Sequence, residues 1–252
     1  MRANFRNALS LLVALVLVFG NTACGKKQAK VLRIGTNAEY PPFESKEGES
    51  FVGVDMDLAR QIANKLEMEF EIIDMDFQTL IPSLNSQKID LALSAISITE
   101  ERKAQVEFSQ PYYVVNQVII AASKSKKTLA KLEDIGNFKV GVLKGTTGNK
   151  YLVENYVDKE LMSKDNLREY LTNIEAITDL LNGKVDFVII DDSAALGYAK
   201  QKPISIVKKI ETNESYGIAM PKGADLNAKI NQALQELMDS GEVQSIIQTH
   251  IQ

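Results

Sequence analysis

The chain has 252 residues, 45% of them hydrophobic and 25% charged, with six Pro and 14 Gly, the composition of a globular protein rather than a low-complexity polymer. One Cys excludes a disulfide scaffold and a cysteine zinc site, and a single His, His250, all but excludes a Ser-His-Asp site, a His general base or a His cluster. Neither a metal nor a cofactor is expected.

The N-terminus reads as an address. Arg2 and Arg6 precede an apolar run over residues 8–19, broken only by Ser10. That run is short of the about 20 residues a bilayer span requires, but it suits the core of a secretory signal. Cys24, with Ala23 before it and Gly25 after it, resembles a bacterial lipobox, in which the Cys becomes the lipidated first residue. Asn21 stands where a lipobox usually carries Leu, and plain cleavage after Ala23 is the alternative. The expectation is a signal peptide over residues 1–23 and lipidation at Cys24, with residues 24–30 as a flexible tether. Losing Arg2 and Arg6 leaves 27 Lys+Arg against 33 Asp+Glu, a balance of −6. A mildly acidic body argues against nucleic acid, whose phosphates need a basic face. No later apolar run reaches 18 residues, so the body is expected to be soluble, exported to the periplasm or cell surface, and held to the membrane only by its lipid.

Further along, one unit is written twice. Val31-Leu32-Arg33-Ile34-Gly35-Thr36 reads as a strand entering a turn-rich loop, and so does Lys139-Val140-Gly141-Val142-Leu143 before Lys144-Gly145-Thr146-Thr147-Gly148. Leu84-Asn85-Ser86-Gln87-Lys88-Ile89-Asp90-Leu91 reads as a helix end, a polar turn and a buried strand. Leu181-Asn182-Gly183-Lys184-Val185-Asp186-Phe187 repeats that grammar. Strands alternating with helical stretches predict βαβ units and a mainly parallel sheet. The fold class is therefore α/β with two lobes. Residues 57–66 carry Leu58, Ile62 and Leu66 on one helical face. Thr99 is a helix N-cap. Residues 227–238 place Ile230, Leu234 and Met238 on one stripe. Two extended runs, residues 116–120 and 215–220, read as crossings between the lobes. Lobe one then comprises residues 31–117 and 217–252, and lobe two residues 118–216. Ligands of open α/β sheets bind at the C-terminal ends of the strands, here in the cleft between the lobes.

Arg102 falls in the first turn after the Thr99 cap, where a cation is locally disfavoured. Its planar fork beside backbone N–H groups suits a carboxylate, although a surface Arg paired with Glu101 or Glu107 is an equal reading. Asp191 and Asp192 close the strand over residues 185–190 and face either the cleft or the N-terminus of a helix over residues 193–200. A cation and an anion across one cleft are what an α-amino acid zwitterion needs. Tyr40-Pro41-Pro42-Phe43 is a stiff aromatic loop, and Phe77 precedes Leu80-Ile81-Pro82. These rings either wall a side-chain pocket or fill the core. Gly145-Thr146-Thr147-Gly148 lacks the full phosphate-loop pattern.

Five motifs occur in one order: Gly35-Thr36-Asn37-Ala38-Glu39-Tyr40-Pro41-Pro42-Phe43; Gly53-Val54-Asp55-Met56-Asp57-Leu58; Leu80-Ile81-Pro82-Ser83-Leu84; Thr99-Glu100-Glu101-Arg102-Lys103 with Phe108-Ser109-Gln110-Pro111-Tyr112-Tyr113; and Gly145-Thr146-Thr147. Together they resemble the family 3 solute-binding proteins that feed polar amino acids to ABC importers, over residues 31–252. The resemblance implies the type II periplasmic-binding-protein fold, two lobes on a double hinge. It further implies that Arg102 clamps the ligand carboxylate, with Ser97 and the Thr147 region adding donors. Asp191 would take the ammonium with help from Ser97 and Ala95, while Tyr40 and Phe77 flank the side chain. Relatives that bind basic amino acids often carry Asp at the position of Asn37, and some carry Ser at that of Ala95. Glu39 would supply the missing charge if it turns inward. Asp55 and Asp57 read as structural.

The expected function is capture of a free polar L-amino acid, arginine before lysine or histidine, and its delivery to an ABC permease by a monomeric receptor. Glutamine or another neutral polar amino acid is the close alternative. A lyase resembling cyclohexadienyl dehydratase would need Glu39 or Asp192 as a general acid. A sensor module would run on into a transmembrane helix beyond Gln252.

Overall fold

Strand β1 (Leu32–Thr36) opens the part of the chain that the computed structural model describes, residues 31–251. The signal, tether and Cys24 expectations lie outside those residues. Leu32 and Ile34 are fully buried, and β1 pairs in parallel on both sides. After β1 come three short antiparallel strands, β2 (Glu39–Tyr40), β3 (Glu44–Glu47) and β4 (Ser50–Val52). Helix α1 (Val54–Lys65) starts three residues before the predicted 57, because Gly53, at φ 124°, turns the chain and lets Val54, Asp55 and Met56 enter the core. A Cβ at Gly53 would lie 2.2 Å from the Phe43 carbonyl oxygen, so only glycine fits there.

The lobe continues through β5 (Phe70–Asp74), α2 (Leu80–Asn85), β6 (Leu91–Ala92), α3 (Glu100–Lys103) and β7 (Glu107–Phe108). The long strand β8 (Tyr113–Ala122) leaves it. The second sheet then builds from β9 (Val140–Leu143), α4 (Thr147–Leu152), β10 (Leu167–Tyr170), α5 (Asn173–Leu181), β11 (Phe187–Asp191) and α6 (Asp192–Ala199). Strand β12 (Ile204–Tyr216) returns the chain to β13 (Ala219–Met220), α7 (Leu226–Asp239) and α8 (Glu242–His250).

The two five-stranded sheets follow one plan: β5-β1-β6-β13-β7 and β10-β9-β11-β8-β12. In each, three parallel strands are followed by one reversed strand, β13 or β8. The expected crossing over residues 116–120 lies inside β8, whereas that over residues 215–220 runs from the end of β12 into β13. Strands β8 and β12 form one antiparallel ribbon, whose register breaks between Ile210 and Glu214 around Asn213, at φ 48°. Leu58, Ile62, Ile230, Leu234 and Leu237 pack with β1 and Met220 in one core, and Ile177, Leu180, Val188 and Ile190 pack in another. One expected core residue is corrected: Met238 is 37% exposed, and Leu237 takes its place on the buried stripe of α7.

Phe43 belongs to the core rather than to a ligand wall. It is fully buried and meets Tyr113 and Tyr216 edge to face at 5.1 and 5.0 Å, bracing both strands of the crossing ribbon. Among the described residues no helix is long and apolar enough to cross a membrane.

Candidate functional site

A narrow cavity lies between the sheets. Asn37, Tyr40, Phe77, Ala95, Ser97, Arg102, Thr147 and Asp191 all line it.

Arg102 comes from α3. The Thr99 hydroxyl accepts from the Arg102 backbone N–H at 3.2 Å, which starts the helix and fixes where the side chain leaves it. The guanidinium is buried and sits over the Phe77 ring, 5.4 Å from its centroid. Nη1 donates to the Ser97 carbonyl at 2.7 Å and Nη2 to the Gly145 carbonyl at 3.1 Å, so Arg102 already joins the lobes. No carboxylate pairs with it among the described residues. Glu101 instead pairs with Lys150 at 2.6 Å, and Glu107 accepts from Asn227 and from the Gly223 N–H. The surface ion-pair reading of Arg102 therefore fails. Burial lowers its pKa, while Glu214 and Asp191 act in the opposite sense. Arginine stays charged through such a shift.

Asp191 ends β11 at the N-cap position of α6, but its side chain makes no capping bond. Asp192 accepts from the Ser193 N–H at 2.9 Å instead, leaving Asp191 to face the cavity. The Asp191 carboxylate accepts from Gln117 Nε2 and from the Tyr216 hydroxyl. Burial pushes its pKa up to about 6, with Glu214 adding to the rise and the Tyr216, Tyr40 and Gln117 hydrogen bonds opposing it. Gln117 Nε2 also reaches Thr147 Oγ1 and Glu214 Oε1, each at 3.2 Å.

The floor in lobe one is held from beneath. Ala95 adopts φ 46°, and its N–H donates to Asp55 at 2.8 Å; the other oxygen of Asp55 accepts from the Tyr112 hydroxyl at 2.8 Å. Asp55 does not border the cavity. Asn37 donates its backbone N–H to Ser94 Oγ at 2.9 Å, and that hydroxyl donates to Glu44 at 3.0 Å.

One expected contact is corrected: Glu39 does not line this cavity. In the two-residue β2, Tyr40 faces the central cavity and Glu39 borders a separate, wider one with Tyr198 and His250, as the alternation of a strand requires. Glu44, not Glu39, brings a carboxyl group to the wall of the central cavity, and it is 1% exposed. Gln117, Ser94, Thr146 and Asn173 were likewise not anticipated. A signal for Gln117 existed, since it is a polar residue inside the apolar run of β8. Glu44 directly follows the Pro-Pro-Phe motif. Among the described residues no cluster of three or more His, Cys, Asp or Glu is arranged to hold a metal.

Two α/β lobes on a double-stranded crossing, offering a cation from one lobe and an anion from the other to a single cavity, define a two-lobed receptor with the type II periplasmic-binding-protein fold. The sequence places it more narrowly. The chain belongs to the bacterial extracellular solute-binding proteins, family 3, whose family model matches residues 32–252. It is 36% identical to the arginine-binding extracellular protein ArtP of Bacillus subtilis (strain 168), over 94% of this chain and 95% of that one. Among solved structures, an ancestral arginine-binding protein bound to arginine superposes with a TM-score of 0.81 at 38% identity, covering 88% of this chain and 98% of that one. An ancestral arginine-binding protein bound to glutamine superposes with a TM-score of 0.80, also at 38% identity, covering 87% and 97%.

Proposed function

We propose that this protein captures a free basic L-amino acid, arginine ahead of lysine and histidine, outside the cytoplasmic membrane and delivers it to the permease of an ABC importer. The charge arrangement carries the reading: Arg102 and Asp191 border one cavity from opposite lobes, and Glu44 adds a further carboxyl group to its wall. Arg102, with two of its donors held by carbonyls, clamps the α-carboxylate. Asp191 takes the α-ammonium, with Ser97, Thr147 and the backbone at Ala95 completing the head-group site. Tyr40 and Phe77 flank the side chain, whose cationic end faces Glu44. Ligand contacts to both lobes favour the closed arrangement over the open one. The names of the relatives support a transport receptor and not an enzyme. Export by residues 1–23, a lipid anchor at Cys24 and action as a monomer complete the proposal; the mass of the mature N-terminus checks the anchor.

The glutamine-bound ancestral protein favours a second reading, in which the same cavity carries a neutral polar amino acid. Calorimetric titration of the purified protein, freed of carried-over ligand, with the twenty amino acids and ornithine separates the two. Arginine is expected to bind with a Kd of about 1 μM or tighter, about −8 kcal/mol. Tight binding of glutamine alone replaces the basic ligand with the neutral one. Silence from every free amino acid sinks the zwitterion clamp.

A further inference from the structure

Two carboxyl groups meet under the cavity floor. Glu44 on β3 and Asp55 on α1 are 1% and 0% exposed, and their carboxyl groups are within hydrogen-bonding reach of each other. No cation pairs with either one among the described residues. Two contacting buried carboxyl groups cannot both be charged under those conditions, so the pair holds a proton.

Which group holds it follows from the donors around them. Both oxygens of Asp55 are satisfied by donors, the Ala95 N–H and the Tyr112 hydroxyl, as an ionised carboxylate requires. Glu44 receives only the Ser94 hydroxyl on Oε1, and its Oε2 is buried with no donor reaching it. A proton on Glu44 removes that deficit and gives Asp55 a further donor. The nearby charge opposes ionisation of Glu44, since Asp191 contributes like charge; the neighbouring hydroxyls are engaged elsewhere, Tyr40 with Asp191 and Tyr198 with the Glu39 carbonyl. Burial and the Asp55 charge push Glu44 well above its ordinary value, and burial also raises Asp55, to about 6.

Of the two, only Glu44 borders the cavity. We propose that Glu44 holds a proton while the cavity is empty and releases it to solvent when a cationic side chain enters, so that the choice between cationic and neutral ligands is coupled to pH. The idea rests on the receptor reading above. A guanidinium offers only donors, and a neutral Glu44 would set its own O–H against them. The proton leaves, and a carboxylate faces the cation. An amide or urea oxygen accepts the Glu44 O–H instead, and the proton stays.

Arginine and citrulline isolate the effect, because they share length and zwitterionic head and differ in guanidinium against urea. Any proton released at Asp191 on taking up the ammonium is common to both and cancels. Calorimetry of the ligand-freed protein near neutral pH, in two buffers of different ionisation enthalpy, counts the protons. Arginine is expected to release about one proton more than citrulline. Its preference over citrulline should fall by up to about tenfold for each pH unit of acidification. Glu44→Gln should abolish both differences. Equal proton counts for the two ligands in the unmodified protein overturn the inference and leave the receptor reading standing. Failure of arginine to bind at any pH overturns both. The comparison in the unmodified protein decides the matter even if the Gln variant does not fold.

Discussion

The two sheets repeat each other to the level of single hydrogen bonds, and then diverge at the residue where each meets the ligand cavity. Gln87 and Gly183 end their helices in the same left-handed turn, at φ 56° and 71°. Asp90 then accepts from the backbone N–H of Arg33, and Asp186 accepts from that of Lys139, each at 3.0 Å. Five residues on, the equivalent positions are Ala95 and Asp191. In lobe two the side chain itself enters the cavity as an anion. In lobe one the position is only backbone, held by Asp55 from below, and the charge arrives seven residues later as Arg102. The repeat therefore supplies a scaffold, and function lies in the residues by which the halves differ. A symmetric pair of acids or of bases could not hold a zwitterion.

The strongest way to break this asymmetry is to erase either charge. Asp191→Ala makes the exit of lobe two resemble that of lobe one; it strands Gln117 and the Tyr216 hydroxyl and removes the proposed ammonium partner. Arg102→Ala removes the proposed carboxylate clamp and its links to Ser97 and Gly145. Breaking one partner of a buried charge pair costs about 3–5 kcal/mol, so either variant should lose more than a hundredfold in amino-acid affinity by calorimetry. A variant that binds within about tenfold of the original would show that its charge does not touch the ligand.

How much of this was legible in the chain differs between scaffold and site. The helix-end and strand grammar is local, so both repeats and the Thr99 cap could be read from neighbouring residues. Arg102 follows the Thr99 cap in the first turn of α3 and Asp191 ends β11, so local order fixes the placement of both. Glu44 and Gln117 do not. Glu44 reaches the cavity from the start of β3, across a three-residue turn from β2, and Gln117 from the middle of a crossing strand whose partners, β11 and β12, are distant in sequence. Glu39 was misplaced for the same reason: the facing of a two-residue strand is set by what packs on it. Met238 and Leu237 are adjacent on α7, and only the direction from which α1 and β13 approach decides which one is buried.

The smallest expected effect sharpens the comparison by reading each lobe's acids through stability. Asp191 in lobe two is pushed up to about 6, as is Asp55 in lobe one beside Glu44, which burial and the Asp55 charge also raise well above its ordinary value. A carboxyl group whose pKa is higher in the folded than in the unfolded chain binds its proton more tightly when folded. The stabilisation is fully present below the ordinary value of 3.8 and is lost as pH rises through about 6. The ligand-free protein should therefore gain stability on moving from neutral pH to about 5, by a few degrees in Tm. The acids held low by surface partners, such as Glu107 and Glu236, act with the opposite sign, but only as pH falls below their ordinary 4.5, outside that interval. Asp191→Asn should remove the share of the gain that belongs to lobe two and keep the share from Glu44 and Asp55. In the unmodified protein, bound ligand should flatten the Asp191 share, because an ammonium beside that carboxylate stabilises its charged form. A thermal melt series whose pH slope is the same with and without Asp191 would show that this acid is already paired in the empty protein, and the division of charge between the lobes would have to be redrawn.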